Sequence, residues 1–230
     1  MRLHISHDTY TTVFGTVYLV LITNLLLVVG ALPLVAGLLT TDPVRSWPLL
    51  AALAALGAPA VCAAFAVFAG FTADRSVGVV RTFTRAWWAS ARGALRLGAL
   101  AAAAVVVLAV DARALWGRPV GAVAIPVLVV LVVLVLAATM LSLAALAEVP
   151  TARVRDVLRV SMYLAVRRWY FTAASLGTLS LLFALFAAKP AIAMGLAATP
   201  LLYAVWGNSR FTLRPVLEPS APPVVTAGPP

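Results

Sequence analysis

The stretch VGAVAIPVLVVLVVLVLAATMLSLAALA, residues 120–147, contains no charged side chain. An α-helix of this length, rising 1.5 Å per residue, is long enough to cross the ~30 Å hydrocarbon core of a bilayer. Its apolar residues form a continuous run instead of alternating with polar ones, which favours a helix over a strand of a membrane β-barrel. The stretch therefore predicts a helix that spans a membrane.

Apolar runs of the same kind recur along the 230-residue chain. The mean hydropathy of +1.06 lies far above that of a water-soluble protein of this size. We therefore expect an all-α fold, a polytopic membrane helical bundle of about six transmembrane helices that occupies residues 1–214. The predicted spans are about 13–39, 48–71, 94–110, 120–147, 170–188 and 191–206.

The net charge of +10 is unevenly distributed along the chain. Four arginines lie between the second and third predicted spans, Arg96 lies near the start of the third, and five more arginines lie between the fourth and fifth. With the amino terminus in the cytoplasm, 13 of the 17 positive residues fall on the cytoplasmic side. The four on the other side are Arg45, Arg113, Arg118 and Lys189. The positive-inside rule then predicts a multi-pass membrane protein with both termini cytoplasmic. Sixteen arginines against one lysine, with many alanines and valines, indicate a GC-rich bacterial genome, so the expected location is the bacterial plasma membrane. Positive charge that flanks membrane spans does not indicate nucleic-acid binding.

The last sixteen residues, 215–230, read PVLEPSAPPVVTAGPP and contain six prolines. They have no helical period, and this composition is typical of a disordered segment. We expect a disordered cytoplasmic tail.

Residues 78–93, GVVRTFTRAWWASARG, combine arginines with two adjacent tryptophans. At 100° per residue the arginines of this region form one narrow stripe on a helix, with mainly apolar and small residues opposite. The stripe consists of Arg81, Arg85, Arg92 and Arg96, and the opposite side of Val79, Phe83, Trp87, Ser90 and Ala94. The pattern predicts an amphipathic helix at the cytoplasmic interface, with Trp88 stacked on Arg85 or Arg92.

A second amphipathic helix is predicted in the other arginine-rich connection. Arg155, Arg159 and Tyr163 share one side of its helical wheel. The side opposite consists of Val154, Val157, Leu158, Ser161 and Leu164. Two interpretations of both helices stay open: the arginines anchor the protein to anionic headgroups of the lipid bilayer, or they dock a cytoplasmic partner.

Asn24 is the clearest polar residue inside a predicted span. An Asn in hydrocarbon needs a hydrogen-bond partner, which is either another helix or a substrate. The first is the expectation. No acidic residue falls at mid-membrane, which argues against an acid-based proton relay.

The sequence contains no recognisable catalytic, nucleotide-binding or zinc motif. The single cysteine, Cys62, lies in an apolar run and excludes an intrachain disulfide. We therefore expect neither an enzyme nor a bound metal or cofactor.

Three motifs resemble the YesL family of bacterial membrane proteins, also known as DUF624. They are TNLLLVVGALP (23–33), GAPAVCAAFAVF (57–68) and RSVGVVRTFTRAWWASARG (75–93). Ser90 and Ala91 stand where the family pattern usually has Asn. The resemblance implies an accessory role beside carbohydrate ABC importers, with components of such a transporter as partners.

The expectation is an accessory or regulatory membrane component of carbohydrate ABC import that docks a partner through its basic cytoplasmic helices. The alternative is a stand-alone transporter of a small molecule or lipid.

Overall fold

The computed structural model describes residues 7–74, 78–189 and 192–217, and all regular secondary structure in these ranges is helical. The predicted fold class, an all-α membrane helical bundle, is confirmed. Nine α-helices and one π-helical segment make up the described chain. They are α1 (His7–Gly30), α2 (Leu32–Thr40), α3 (Trp47–Leu56), α4 (Ala58–Ala73), α5 (Val79–Leu115), α6 (Gly121–Glu148), α7 (Val154–Arg167), α8 (Trp169–Ala188), the π-helical segment (Ala193–Ala197) and α9 (Ala198–Leu217).

Four helices of the described chain are long and apolar enough to cross a membrane. The first consists of α3 and α4 together, Trp47–Ala73. The other three are Val79–Leu115, Gly121–Glu148 and Trp169–Phe186. The bent pair α1 and α2 is a fifth candidate. The predicted span at 191–206 is not among them. By length and composition, four to five helices of the described chain could cross a membrane, which supports a multi-pass membrane protein.

The first predicted span, 13–39, is not one continuous helix. It is bent by 62° between α1 and α2. Pro33 stands in the first turn of α2, where it has no N–H to donate and its ring crowds the carbonyl of the residue four positions earlier. The regular helix therefore ends at Gly30, and α2 leaves in a new direction.

The predicted interfacial helix at residues 78–93 and the predicted span at 94–110 are one helix. This helix, α5, has 37 residues and is about 55 Å long at 1.5 Å per residue. Gly93 and Gly98 lie within it, but each faces a close neighbour on another helix and neither breaks it. The prediction of a separate helix was wrong because those glycines serve close packing and not a turn.

The helices α8 and α9 form an antiparallel hairpin. Arg168 at the start of α8 donates a hydrogen bond of 2.8 Å from Nη1 to the carbonyl oxygen of Phe211, and the rings of Phe171 and Phe211 stack with centroids 6.4 Å apart. Helix α9 continues to Leu217, so the predicted tail begins inside a helix. The rest of that tail, 218–230, lies outside the described residues.

Helix α4 is the core of the bundle. Most of its residues from Ala58 to Phe68 are buried, and α1, α5, α6 and α9 pack around it. The Sγ atom of Cys62 on α4 lies 3.5 Å from the carbonyl oxygen of Leu143 on α6. This packing fixes the positions of the helices that carry the candidate sites.

Two ends of the bundle differ in charge. Of the cations in the described ranges, eleven lie toward the end where α4, α6 and α9 finish and where α5, α7 and α8 begin. We call this the basic end. Arg210 of α9 lies 3.6 Å from Glu148 of α6 there. The opposite end has Arg45, Arg113, Arg118 and Lys189. Arg2 and Arg75 lie outside the described residues.

Candidate functional site

The side of α5 predicted to lie opposite the arginines packs into the bundle along the first half of the helix. Val79, Phe83, Ser90 and Ala94 are buried, and Trp87 is half-buried against the core. The hydroxyl group of Ser90 donates to the carbonyl oxygen of Ala86 at 2.8 Å, which satisfies the one hydroxyl group on this side. The helix is therefore held firmly along its inner side.

The outer side of the same segment consists of exposed arginines. They are Arg81, Arg85, Arg92 and Arg96, which we call the arginine ridge. The ion pairs in the described chain join Arg45 to Asp42 and Arg210 to Glu148, so neither involves the ridge. From Arg81 to Arg96 the ridge is about 22 Å long. It presents four guanidinium groups with no carboxylate partner among the described residues.

Trp88 does not stack on the ridge. Its ring meets the ring of Trp87 edge-on, with centroids 4.8 Å apart and an interplanar angle of 90°. The cation–π contacts found in the described ranges are Arg167 over Tyr163 and Arg210 over Trp206. The predicted contact with Arg85 or Arg92 was wrong: the aromatic contact that Trp88 makes is with the adjacent indole. The side chain is nevertheless 75% exposed and lies beside the ridge.

The second amphipathic helix is α7, and its two sides are those predicted. Ser161 and Leu164 are buried, and Val154 and Leu158 pack partly against the core. The opposite side is exposed; it carries Arg155, Arg159 and Tyr163. Tyr163 accepts a hydrogen bond of 2.9 Å from Arg167.

The fold brings arginines of both clusters to a shared surface groove. Arg96 of α5 lines this groove together with Arg153 and Arg155 at the start of α7. Arg81 and Arg85 of the ridge line a second groove with Pro150. At the basic end, α5 and the start of α7 therefore share one of these grooves.

Asn24 bonds to a second helical segment, as the sequence predicts. Its side-chain Nδ2 donates to the carbonyl oxygen of Gly195 at 2.9 Å. Its Oδ1 accepts from the backbone N–H of Thr199 at 2.8 Å and from the Thr199 hydroxyl group at 2.6 Å. Gly195 and Thr199 are four residues apart, so in a regular α-helix this carbonyl and this N–H would bond to each other. The Asn24 amide bonds to both groups instead.

A cavity of about 490 Å³ lies beside this contact. Helices α1 to α6, α8 and α9 all contribute to its wall. Of the described residues that line it, only Asn24 and Thr139 have polar side chains. The Thr139 hydroxyl group already donates to the carbonyl oxygen of Val135 at 2.7 Å. The cavity therefore offers an apolar surface.

Sequence reasoning identified the ridge, α7 and Asn24 but not the cavity. Alanine, leucine and valine at helical spacing are typical of a packed interface. Nothing in that pattern distinguishes residues that line a cavity from residues that pack against another helix. The available signal was Pro33 and Pro59, because a proline inside an apolar run indicates an interrupted helix.

Comparisons of the chain with protein-family models, with curated proteins and with solved structures give no match. The resemblance to the YesL family stays a prediction from the three motifs.

Proposed function

We propose that the chain is an accessory or regulatory membrane protein whose basic end docks a cytoplasmic partner through the arginine ridge. One observation carries this proposal. Four exposed guanidinium groups lie on a helix whose other side is packed into the core, and no carboxylate in the described chain pairs with them. A surface of this kind suits an acidic partner.

The geometry of α5 supports docking over simple anchoring. A helix that only anchors the protein lies in the plane of the headgroups as a separate element. The ridge instead belongs to the same 37-residue helix as the third span. Because the backbone of that helix is already ordered by its packing, binding of a partner to the ridge costs little backbone entropy in α5.

The chemistry of arginine also favours a protein partner. A guanidinium group forms two parallel hydrogen bonds with one carboxylate and stacks on planar groups. Trp88 adds an exposed aromatic surface beside the ridge, and tryptophan and arginine are common among residues that dominate protein interfaces. We propose Arg155 and Arg159 of α7 as the second part of this docking surface.

The proposed setting is carbohydrate ABC import, since this is what the resemblance to the YesL family implies. The partner is then a component of the importer on the cytoplasmic side of a bacterial plasma membrane. The positive-inside rule supports a cytoplasmic basic end and, with it, cytoplasmic termini. The proposed role is not enzymatic.

A second candidate function is a stand-alone transporter of a small molecule or lipid. The apolar cavity of about 490 Å³, with the interrupted helices around it, favours this alternative. Interrupted helices often border the binding sites of transporters.

The docking proposal predicts that lysine cannot replace the ridge arginines. In the triple variant Arg81→Lys, Arg85→Lys and Arg92→Lys, the charge is kept but the planar guanidinium groups are lost. We expect this variant to be folded and inserted, and to lose the importer subunits that co-purify with the unmodified protein in mild detergent. Quantitative mass spectrometry of the purified complexes measures the loss.

A matched control is available at the opposite end. The double variant Arg113→Gln and Arg118→Gln removes two exposed arginines there, and we expect it to keep the partners. If the lysine variant retains every partner while a glutamine variant of the ridge only loosens membrane association, the ridge is an anchor for headgroups.

A further inference from the structure

Three interruptions of helices meet at the apolar cavity. The bend between α1 and α2 lies at Ala31, the interruption between α3 and α4 lies at Gly57, and the π-helical segment passes into α9 at Ala198. All three residues line the cavity. Such interruptions inside a membrane are tolerated where they border a cavity or where other groups satisfy the freed backbone atoms. Their convergence on one place indicates a formed site.

The π-helical segment is stabilised from outside its own helix. The Asn24 amide bonds to both the Gly195 carbonyl and the Thr199 N–H, which satisfies the two backbone groups that the irregular turn separates. π-Helical turns are frequent at functional sites. The wall of the cavity on this side is therefore held in an irregular conformation by a specific contact.

Close contacts between backbones keep the remaining walls apart. A Cβ atom on Gly98 of α5 would lie 2.7 Å from the carbonyl oxygen of Ala55 and 2.9 Å from the Cβ of Ala58. A Cβ atom on Gly30 of α1 would overlap the Cβ of Ala60. Because α1 and α5 already touch the α3–α4 span at these points, neither can move closer and fill the cavity.

The lining defines what can occupy the cavity. Its volume of about 490 Å³ lies within the range of roughly 300–1,000 Å³ that is typical of small-molecule sites. Water is a poor occupant, since a buried water needs two to four polar partners. The side-chain oxygen atoms of Asn24 and Thr139 already take part in hydrogen bonds. The part of any occupant that lies inside the cavity must therefore be apolar.

We propose that the cavity binds one acyl chain of a membrane phospholipid, with the polar headgroup outside. A bilayer surrounds the protein with such chains, and an acyl chain is apolar along its whole length, as this lining requires. This inference is independent of the docking surface at the basic end. It assigns the interrupted helices and the Asn24 contact to the formation of a lipid site.

Photo-crosslinking in nanodiscs tests the proposal. The probe is a phosphatidylglycerol with a diazirine at the end of one acyl chain, and crosslinked residues are mapped by mass spectrometry. We expect saturable crosslinks to cavity residues such as Ala102, Leu136 and Leu182. The variant Ala102→Phe places a ring in the cavity and should lose most of these crosslinks. The control Ala103→Phe adds the same ring on the outer side of α5 and should keep them.

The thermal midpoint of unfolding distinguishes a variant that fills the cavity from one that destabilises the fold. A ring that occupies an existing cavity should leave the Tm of Ala102→Phe equal to or above that of the unmodified protein. If this variant does not insert, Ala101→Leu is the smaller substitution on the same wall and is expected to reduce the same crosslinks. Crosslinks confined to the outer surface of the bundle, or cavity crosslinks that neither substitution reduces, would overturn the proposal.

Discussion

At the scale of single residues, Asn24 shows how one side chain stabilises an irregular helix. Its amide takes the place of one backbone hydrogen bond of the π-helical segment by bonding to the Gly195 carbonyl and the Thr199 N–H. The sequence predicts that Asn24 bonds to another helix, because an amide in hydrocarbon requires a partner. It does not identify the partner, which lies 171 residues away and depends on how the helices are arranged.

Replacing Asn24 with Leu should destabilise the protein. The change removes three hydrogen bonds and leaves the Gly195 carbonyl and the buried Thr199 N–H without their partner, which we expect to cost about 1–3 kcal/mol. Thermal unfolding in detergent should show a lower Tm.

Ser142→Ala is the matched control for this experiment. The Ser142 hydroxyl group is fully buried on α6, and its oxygen has no hydrogen-bond partner in the described part of the chain. Removing it should leave the Tm unchanged or raise it slightly. Equal losses of stability in Asn24→Leu and Ser142→Ala would contradict the bonding role given to Asn24.

At the scale of helices, the sequence predicts the faces better than the ends. The helical wheel places Phe83 and Ala94 inside and Arg81 and Arg92 outside, and burial in the structure agrees. The wheel depends only on a fixed rotation per residue. The ends of helices depend also on what a glycine or proline meets in space, which a single sequence does not contain. The bend before Pro33 and the continuity of α5 through Gly93 are examples.

Two glycines should respond in opposite directions to the same substitution. Gly98→Ala introduces a Cβ atom 2.7 Å from the carbonyl oxygen of Ala55, so α5 must shift away from α3. We expect a loss of about 1–3 kcal/mol for such overpacking. Gly177→Ala on α8 meets nothing within 4 Å and should gain about 0.5–1 kcal/mol from lower backbone freedom in the unfolded chain. Thermal unfolding of both variants in detergent measures the difference. A stabilising Gly98→Ala would show that α3 and α5 are not in the close contact described.

At the scale of the whole molecule, the charge asymmetry links the sequence to the proposed function. The split of charges between connections was visible in the sequence, and the arrangement of the helices gathers the two arginine clusters at one end. The sequence did not predict that Arg96 lines one groove with Arg153 and Arg155, because this requires α7 to lie beside α5. The apolar cavity belongs to this scale too, since eight helices contribute to it.

The most direct test of this account is the side of the membrane on which the basic end lies. Single cysteines are introduced into a Cys62→Ser protein at Thr84 on α5, at Tyr163 on α7 and at Trp116 near the opposite end, all of which are exposed. An impermeant maleimide is added to intact cells. We predict that it labels the cysteine at position 116 at once, and those at positions 84 and 163 only after the membrane is opened. Labelling at 84 and 163 in intact cells would place the arginine ridge outside and contradict a cytoplasmic docking surface.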